Sequence, residues 1–112
     1  MLTIEALKQY GADAEMGLAR CINNESFYLR LVGQVAGNDN FVKLVKAIEN
    51  NNYGDAFQAA HGLKGIVTNL SLTPLEKPIC EITELLRNKT DIDYSSLLEE
   101  IEIQRKRLEE LM

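Results

Sequence analysis

Ala56-Phe57-Gln58-Ala59-Ala60-His61-Gly62-Leu63-Lys64-Gly65-Ile66-Val67-Thr68-Asn69-Leu70 is the stretch that decides the fold. On a helical wheel of about 100° per residue, Ala56, Ala59, Ala60, Leu63, Ile66, Val67 and Leu70 fall on one apolar arc. Phe57, His61, Lys64, Gly65 and Thr68 lie on the other side. Three-and-four spacing of this kind recurs along nearly the whole chain. No segment shows the sustained alternation or β-branched enrichment of a strand, so the class is all-α.

Towards the N-terminus, Thr3 can cap a short helix that runs to about Tyr10 and stops at Gly11. Asp13 can cap a second, ending near Ile22, with Asn23-Asn24 as the turn. From Glu25 the pattern Phe27, Tyr28, Leu31, Val32, Val35 marks a helix that bends or restarts at the turn formers Gly37-Asn38-Asp39-Asn40. Phe41, Val42, Leu44, Val45 and Ile48 continue it to Asn50. Asn51-Asn52-Tyr53-Gly54 reads as a loop, which leaves Asp55 to cap the helix of the opening stretch. Beyond Leu70, Thr73-Pro74-Leu75-Glu76 reads as a helix start, with Thr73 as cap, Pro74 at the first helical position and Glu76 closing a capping box. Pro78 has no N–H to offer the Pro74 carbonyl, so an irregular first turn or a later start is expected. Ile79, Ile82, Leu85 and Leu86 carry the pattern to Asn88. A polar loop, Lys89 to Asp93, leads to a last amphipathic helix with Leu97, Leu98, Ile101, Leu108 and Leu111. Short loops between long helices favour antiparallel neighbours. The architecture expected is an antiparallel up-and-down four-helix bundle with an additional short N-terminal helix.

The 112 residues make one domain, 1–112, long enough to bury a core without disulfide or metal staples. With 46% apolar and 26% charged residues, disorder is not expected. The net charge of −5 and the scattered lysines and arginines argue against a nucleic-acid surface, leaving a protein or a small molecule as partner. Cys21 and Cys80 form no C-x-x-C pair, and a single histidine cannot complete a normal zinc site, so no metal is expected. Both cysteines read as reduced residues of a cytoplasmic protein. Met1 to Gln9 lacks the layout of a signal peptide, and no apolar run approaches the length of a membrane span.

The chemistry concentrates around His61. The apolar arc is centred opposite its ring, so the imidazole should face outward rather than sit satisfied in the core. Lys64, at i+3, puts an ammonium beside the ring, where it meets no structural need but suits the negative charge of a phosphoryl group. Gly65, at i+4, leaves bare helix surface at a cost of up to about 1 kcal/mol relative to alanine. Access for another protein's active site is the use that such a cost suggests. Imidazole titrates near neutrality and is nucleophilic without an adjacent base.

Ala59-Ala60-His61-Gly62-Leu63-Lys64-Gly65 followed by Asn69-Leu70 resembles the A-H-x-L-K-G core, with downstream N-L, of histidine-containing phosphotransfer (HPt) domains of phosphorelays. The order of helices, two before and two after, is similar as well. The resemblance implies that His61 is the phosphoacceptor and Lys64 its electrostatic partner. It further implies that response-regulator receiver domains donate and accept the phosphoryl group, with a hybrid sensor histidine kinase as a further partner. Magnesium would sit on the receiver, and the carrier would need no cofactor of its own. Where the family commonly has glycine seven residues after the histidine, this chain has Thr68, which would crowd the site or hydrogen-bond the phosphoryl. Ser71 stands where a second glycine is frequent. Some members orient the imidazole with a glutamine from the following helix, and the matching position here is Thr83.

Phe57 is assigned to a docking surface, together with Gln58, Met16 and Asn69; a core aromatic at the bundle's edge is the alternative for Phe57, and core packing for Met16. The terminal charges from Glu99 to Glu110 read as a solvated helix face. No Gly-rich nucleotide cradle or Walker motif is present, so the chain is expected to be a carrier, not an enzyme with kinase activity. A helical binding module that docks receivers or other proteins without carrying phosphate is the alternative function. A kinase dimerisation hairpin would have a proline closely following the histidine, whereas Pro74 is distant. Four helices can bury their own stripes, so a monomer is expected.

Overall fold

Caps and apolar stripes divide the chain into seven helices and no strand, in a computed structural model that describes all 112 residues. They are α1 (Ile4–Tyr10), α2 (Ala14–Arg20), α3 (Glu25–Gly33), α4 (Asn40–Glu49), α5 (Tyr53–Asn69), α6 (Thr73–Arg87) and α7 (Ser95–Glu109). Thr3, Asp13 and Asn24 open the first three, each side-chain oxygen accepting from a backbone N–H three residues on. Gly11, at φ 109°, closes α1 in the left-handed region. The segment between Gly33 and Asn40 breaks the helix begun at Glu25, so that α4 is a restart and not a bend.

Two expected caps are corrected. Asn52, not Asp55, caps α5: its Oδ1 accepts from the Asp55 N–H at 3.1 Å and its Nδ2 donates to the Asp55 carboxylate at 2.7 Å. Tyr53 and Gly54 therefore belong to the helix, and the Asp55 charge stands in its first turn, where the macrodipole favours it. At α6 the N-cap is Leu72, with no side-chain bond, and Thr73 is already helical. Leu72 is wholly buried, and its packing places the helix start one residue before the better capping side chain. Nor does Pro78 interrupt α6, which continues through it while its ring is buried. Of the two prolines of α6, Pro74 lies in the first turn, where its N–H has no intrahelical partner to lose, so that only the bond from Pro78 to the Pro74 carbonyl is missing.

α5 is central. It packs on α4 and α6, and α6 packs on α7. Ala56, Ala60, Leu63 and Val67 are wholly buried, joining Leu44 of α4, Ile79 and Ile82 of α6 and Leu108 of α7 in one core. Gly62 faces Asn40 at the start of α4, where an added Cβ would lie 2.8 Å from Asn40 Nδ2 and turn that side chain aside. The C-terminal end of α5 is held by the N-terminal part of the chain. Tyr28 Oη donates to the Leu70 carbonyl at 2.8 Å, the Asp13 N–H donates to the Ser71 carbonyl at 3.0 Å, and Arg20 Nη1 donates to the Thr68 carbonyl. The first two satisfy acceptors that a helix end would otherwise leave open, whereas the Thr68 carbonyl also accepts from the Ser71 N–H at 3.1 Å. The whole measures 40 × 24 × 19 Å, and no helix is long and apolar enough to cross a membrane.

Candidate functional site

His61 lies in the middle of α5 on its exposed side, while Ala60 and Leu63 beside it are wholly buried. Its ring does not stand alone. The Phe57 ring, one turn earlier, stacks on the imidazole with centroids 5.5 Å apart and planes 19° from parallel. The Arg87 guanidinium of α6 lies 5.0 Å from the Phe57 centroid. Phe57 itself is half-buried against the core, so the aromatic that packs the bundle's edge also braces the imidazole.

Lys64 is half-buried and pairs with Glu84 of α6, Nζ to Oε2 at 3.6 Å. Glu84 also receives Arg87 at 3.3 Å. A chain of contacts thus runs Lys64, Glu84, Arg87, Phe57, His61 and returns to α5 where it began. With Glu84 exposed, its ion pairs contribute little to stability, but they set where the Lys64 ammonium rests. Gly65 stands open: a Cβ built there would meet nothing within 4 Å. Nothing in the chain's own packing requires glycine at this position.

Six residues line a shallow cleft beside the imidazole: Arg20, His61, Lys64, Gly65, Thr68 and Asn69. Thr68 Oγ1 is buried there with no hydrogen-bond partner. Gly65 and Asn69 also border a second cleft, towards α3, with Leu31 and Val35 on its wall. Met16 is exposed on α2, one turn before Arg20. Gln58 is exposed but opens onto a separate cleft against α4, with Asn40 and Lys43.

Thr83 makes no hydrogen bond to the imidazole. Thr83 is wholly buried and its hydroxyl donates to the Ile79 carbonyl at 2.6 Å, a bond within α6. The Phe57 ring does stack on the imidazole. Arg20 and Glu84 are absent from the site as read from the sequence. Arg20 lies 48 residues from the Thr68 carbonyl it binds, and no local spacing signals that contact. Glu84 could have been found as the residue next to Thr83, had its face of α6 been known. No three residues among His, Cys, Asp and Glu gather as a metal site, and Cys21 and Cys80 are free thiols. Comparison with protein-family models, with curated proteins and with solved structures finds no match.

Proposed function

We propose that this chain is a histidine phosphotransfer carrier of a phosphorelay, taking a phosphoryl group onto His61 from a receiver-domain phospho-aspartate and passing it to another receiver. One observation carries the reading: an exposed mid-helix imidazole, braced by Phe57, lies beside a lysine at i+3 and an open glycine at i+4. In the forward step an unprotonated imidazole nitrogen attacks phosphorus. The N–P bond forms as the O–P bond to the aspartyl oxygen breaks, and the carboxylate leaves with the electron pair. The reverse of this step hands the group to the next receiver. Lys64 and magnesium held by the receiver share the charge on the transferring oxygens. A partly solvated lysine contributes on the order of 1–2 kcal/mol, about five- to thirty-fold in rate. To do so, its ammonium must leave Glu84 or bridge between Glu84 and the phosphoryl group.

Under the same reading, α4 to α7 are the four helices of an antiparallel bundle, which the packing of α5 on α4 and α6, and of α6 on α7, supports. The carrier works as a monomer in the cytoplasm, with no kinase activity and no cofactor of its own. Phe57, Met16 and Asn69 lie on the partner's side. A screen of radiolabelled, phosphorylated receiver domains from the same source tests the reading: wild type should take up label that is lost in acid and kept in base, and His61→Ala should take up none. Receivers that bind the wild type without labelling it would instead establish the binding module.

A further inference from the structure

The cleft beside His61 is made of donors. Among its six residues, Arg20, His61, Lys64 and Asn69 carry accessible N–H groups, the Thr68 hydroxyl is buried, and none is a carboxylate. That is a biased selection in a chain with 17 acidic and 12 basic residues. Five of the six belong to α5. Arg20 alone comes from α2.

Unlike Lys64, Arg87 and Arg105, Arg20 takes part in no ion pair. Its Nη1 donates to the Thr68 carbonyl at the C-terminal end of α5, a position that the helix dipole favours for a cation. That bond uses one of the five N–H donors of the guanidinium and fixes one edge of a planar fork. The remaining donors are uncommitted. Thr68 lies seven residues beyond His61, which is about 10 Å along the helix axis. A single phosphoryl group on His61 does not span that distance, but the surface of a protein docked over the cleft does.

We propose that Arg20 is a partner-contacting residue of the transfer site, whose free N–H donors bind a carboxylate on the acidic face of the docked receiver while the Thr68 carbonyl holds the guanidinium in place. The proposal rests on the phosphotransfer reading. A receiver that holds magnesium beside an aspartyl phosphate must do so with carboxylates, so its face is complementary to a cleft of donors. Lys64 then serves the phosphoryl group and Arg20 the partner's surface. The cleft has two cationic ends with different tasks.

Two phosphoryl donors separate this role from mere capping of α5. One is a phosphorylated receiver that labels the wild type; the other is phosphoramidate, a small donor with no protein surface. With the receiver, Arg20→Ala should raise KM about tenfold and leave the saturated rate within about twofold, as for loss of a charge at an interface. With phosphoramidate, labelling of His61 should be unchanged. Arg20→Gln removes the charge and keeps a polar side chain suited to a helix, so it should show the same rise in KM even if the alanine variant folds poorly. An unchanged KM in Arg20→Gln, or equal slowing with both donors, would overturn the proposal and leave Arg20 as a helix cap. A wild type that no receiver labels would instead overturn the phosphotransfer reading, and this proposal with it.

Discussion

Replacing Gly65 by alanine separates what the fold requires from what a partner requires. The residue is helical and exposed, and an added Cβ would meet nothing within 4 Å. The methyl group therefore costs no packing, and the helix gains about 0.8–1 kcal/mol from the lost flexibility of glycine. For a chain of this length that gain corresponds to a rise of about 4 °C in the unfolding midpoint. Thermal unfolding followed by circular dichroism, with urea midpoints as a check, measures it. Gly65→Leu should fold at least as well as the wild type, because leucine is also a good helix former and the site is open. Its transfer from a phosphorylated receiver should nevertheless fall at least about tenfold, as bulk at the contact blocks the near-attack geometry. Greater stability with poorer transfer is the signature of a glycine kept for access. A lower midpoint for Gly65→Ala, or wild-type transfer by Gly65→Leu, would refute the reasoning.

The opposite result is expected at Gly17, where a Cβ would lie 2.5 Å from Tyr28 Cε1 and Oη in a wholly buried ring. Gly17→Ala should cost about 1–3 kcal/mol by overpacking, read as a fall in the urea midpoint. Glu84→Gln should change stability by less than about 1 kcal/mol, because its ion pairs are exposed. By releasing Lys64 it should also shift the transfer equilibrium a few-fold, on the order of 1 kcal/mol, towards phosphorylated His61; label partitioning between carrier and receiver measures this, and no shift would show that Glu84 does not restrain Lys64. Burial, with smaller contributions from Cys21 and Asp13, pushes the Tyr28 hydroxyl up to about 12. The unfolded chain releases that proton near pH 10, at the ordinary tyrosine value, while the folded chain keeps it. The stability that Tyr28 contributes below about pH 10 should therefore be lost as pH rises towards 12, and Tyr28→Phe should flatten the decline in urea midpoints over that window.

The apolar arc of α5 was legible because it depends only on the helical period. Ala56, Ala59, Ala60, Leu63, Val67 and Leu70 are buried as the wheel requires, with Ile66 at the margin. Thr3 and Asp13 were legible as caps for the same local reason. The start of α5 was not, because Asn52 and Asp55 are nearly equal as caps and the reciprocal bonds between them decide which residue is outside the helix. The start of α6 is not legible either, because burial of Leu72 outweighs the capping chemistry of Thr73. At the site, the relation of His61 to Lys64 and Gly65 is a matter of spacing within one helix and could be read directly. Arg20 on Thr68, Glu84 on Lys64 and Arg87 over Phe57 depend on the register between helices, which a single sequence does not encode in any local pattern.

The most direct test is to locate the phosphoryl group itself. After incubation with a phosphorylated receiver and magnesium, the carrier should be digested and analysed by mass spectrometry at alkaline pH, where phosphohistidine survives. The phosphoryl group should be found on the peptide containing His61, should disappear on acid treatment, and should be absent from His61→Ala. A phosphoryl group on any other residue, or a receiver that binds stably and transfers nothing, would contradict the account.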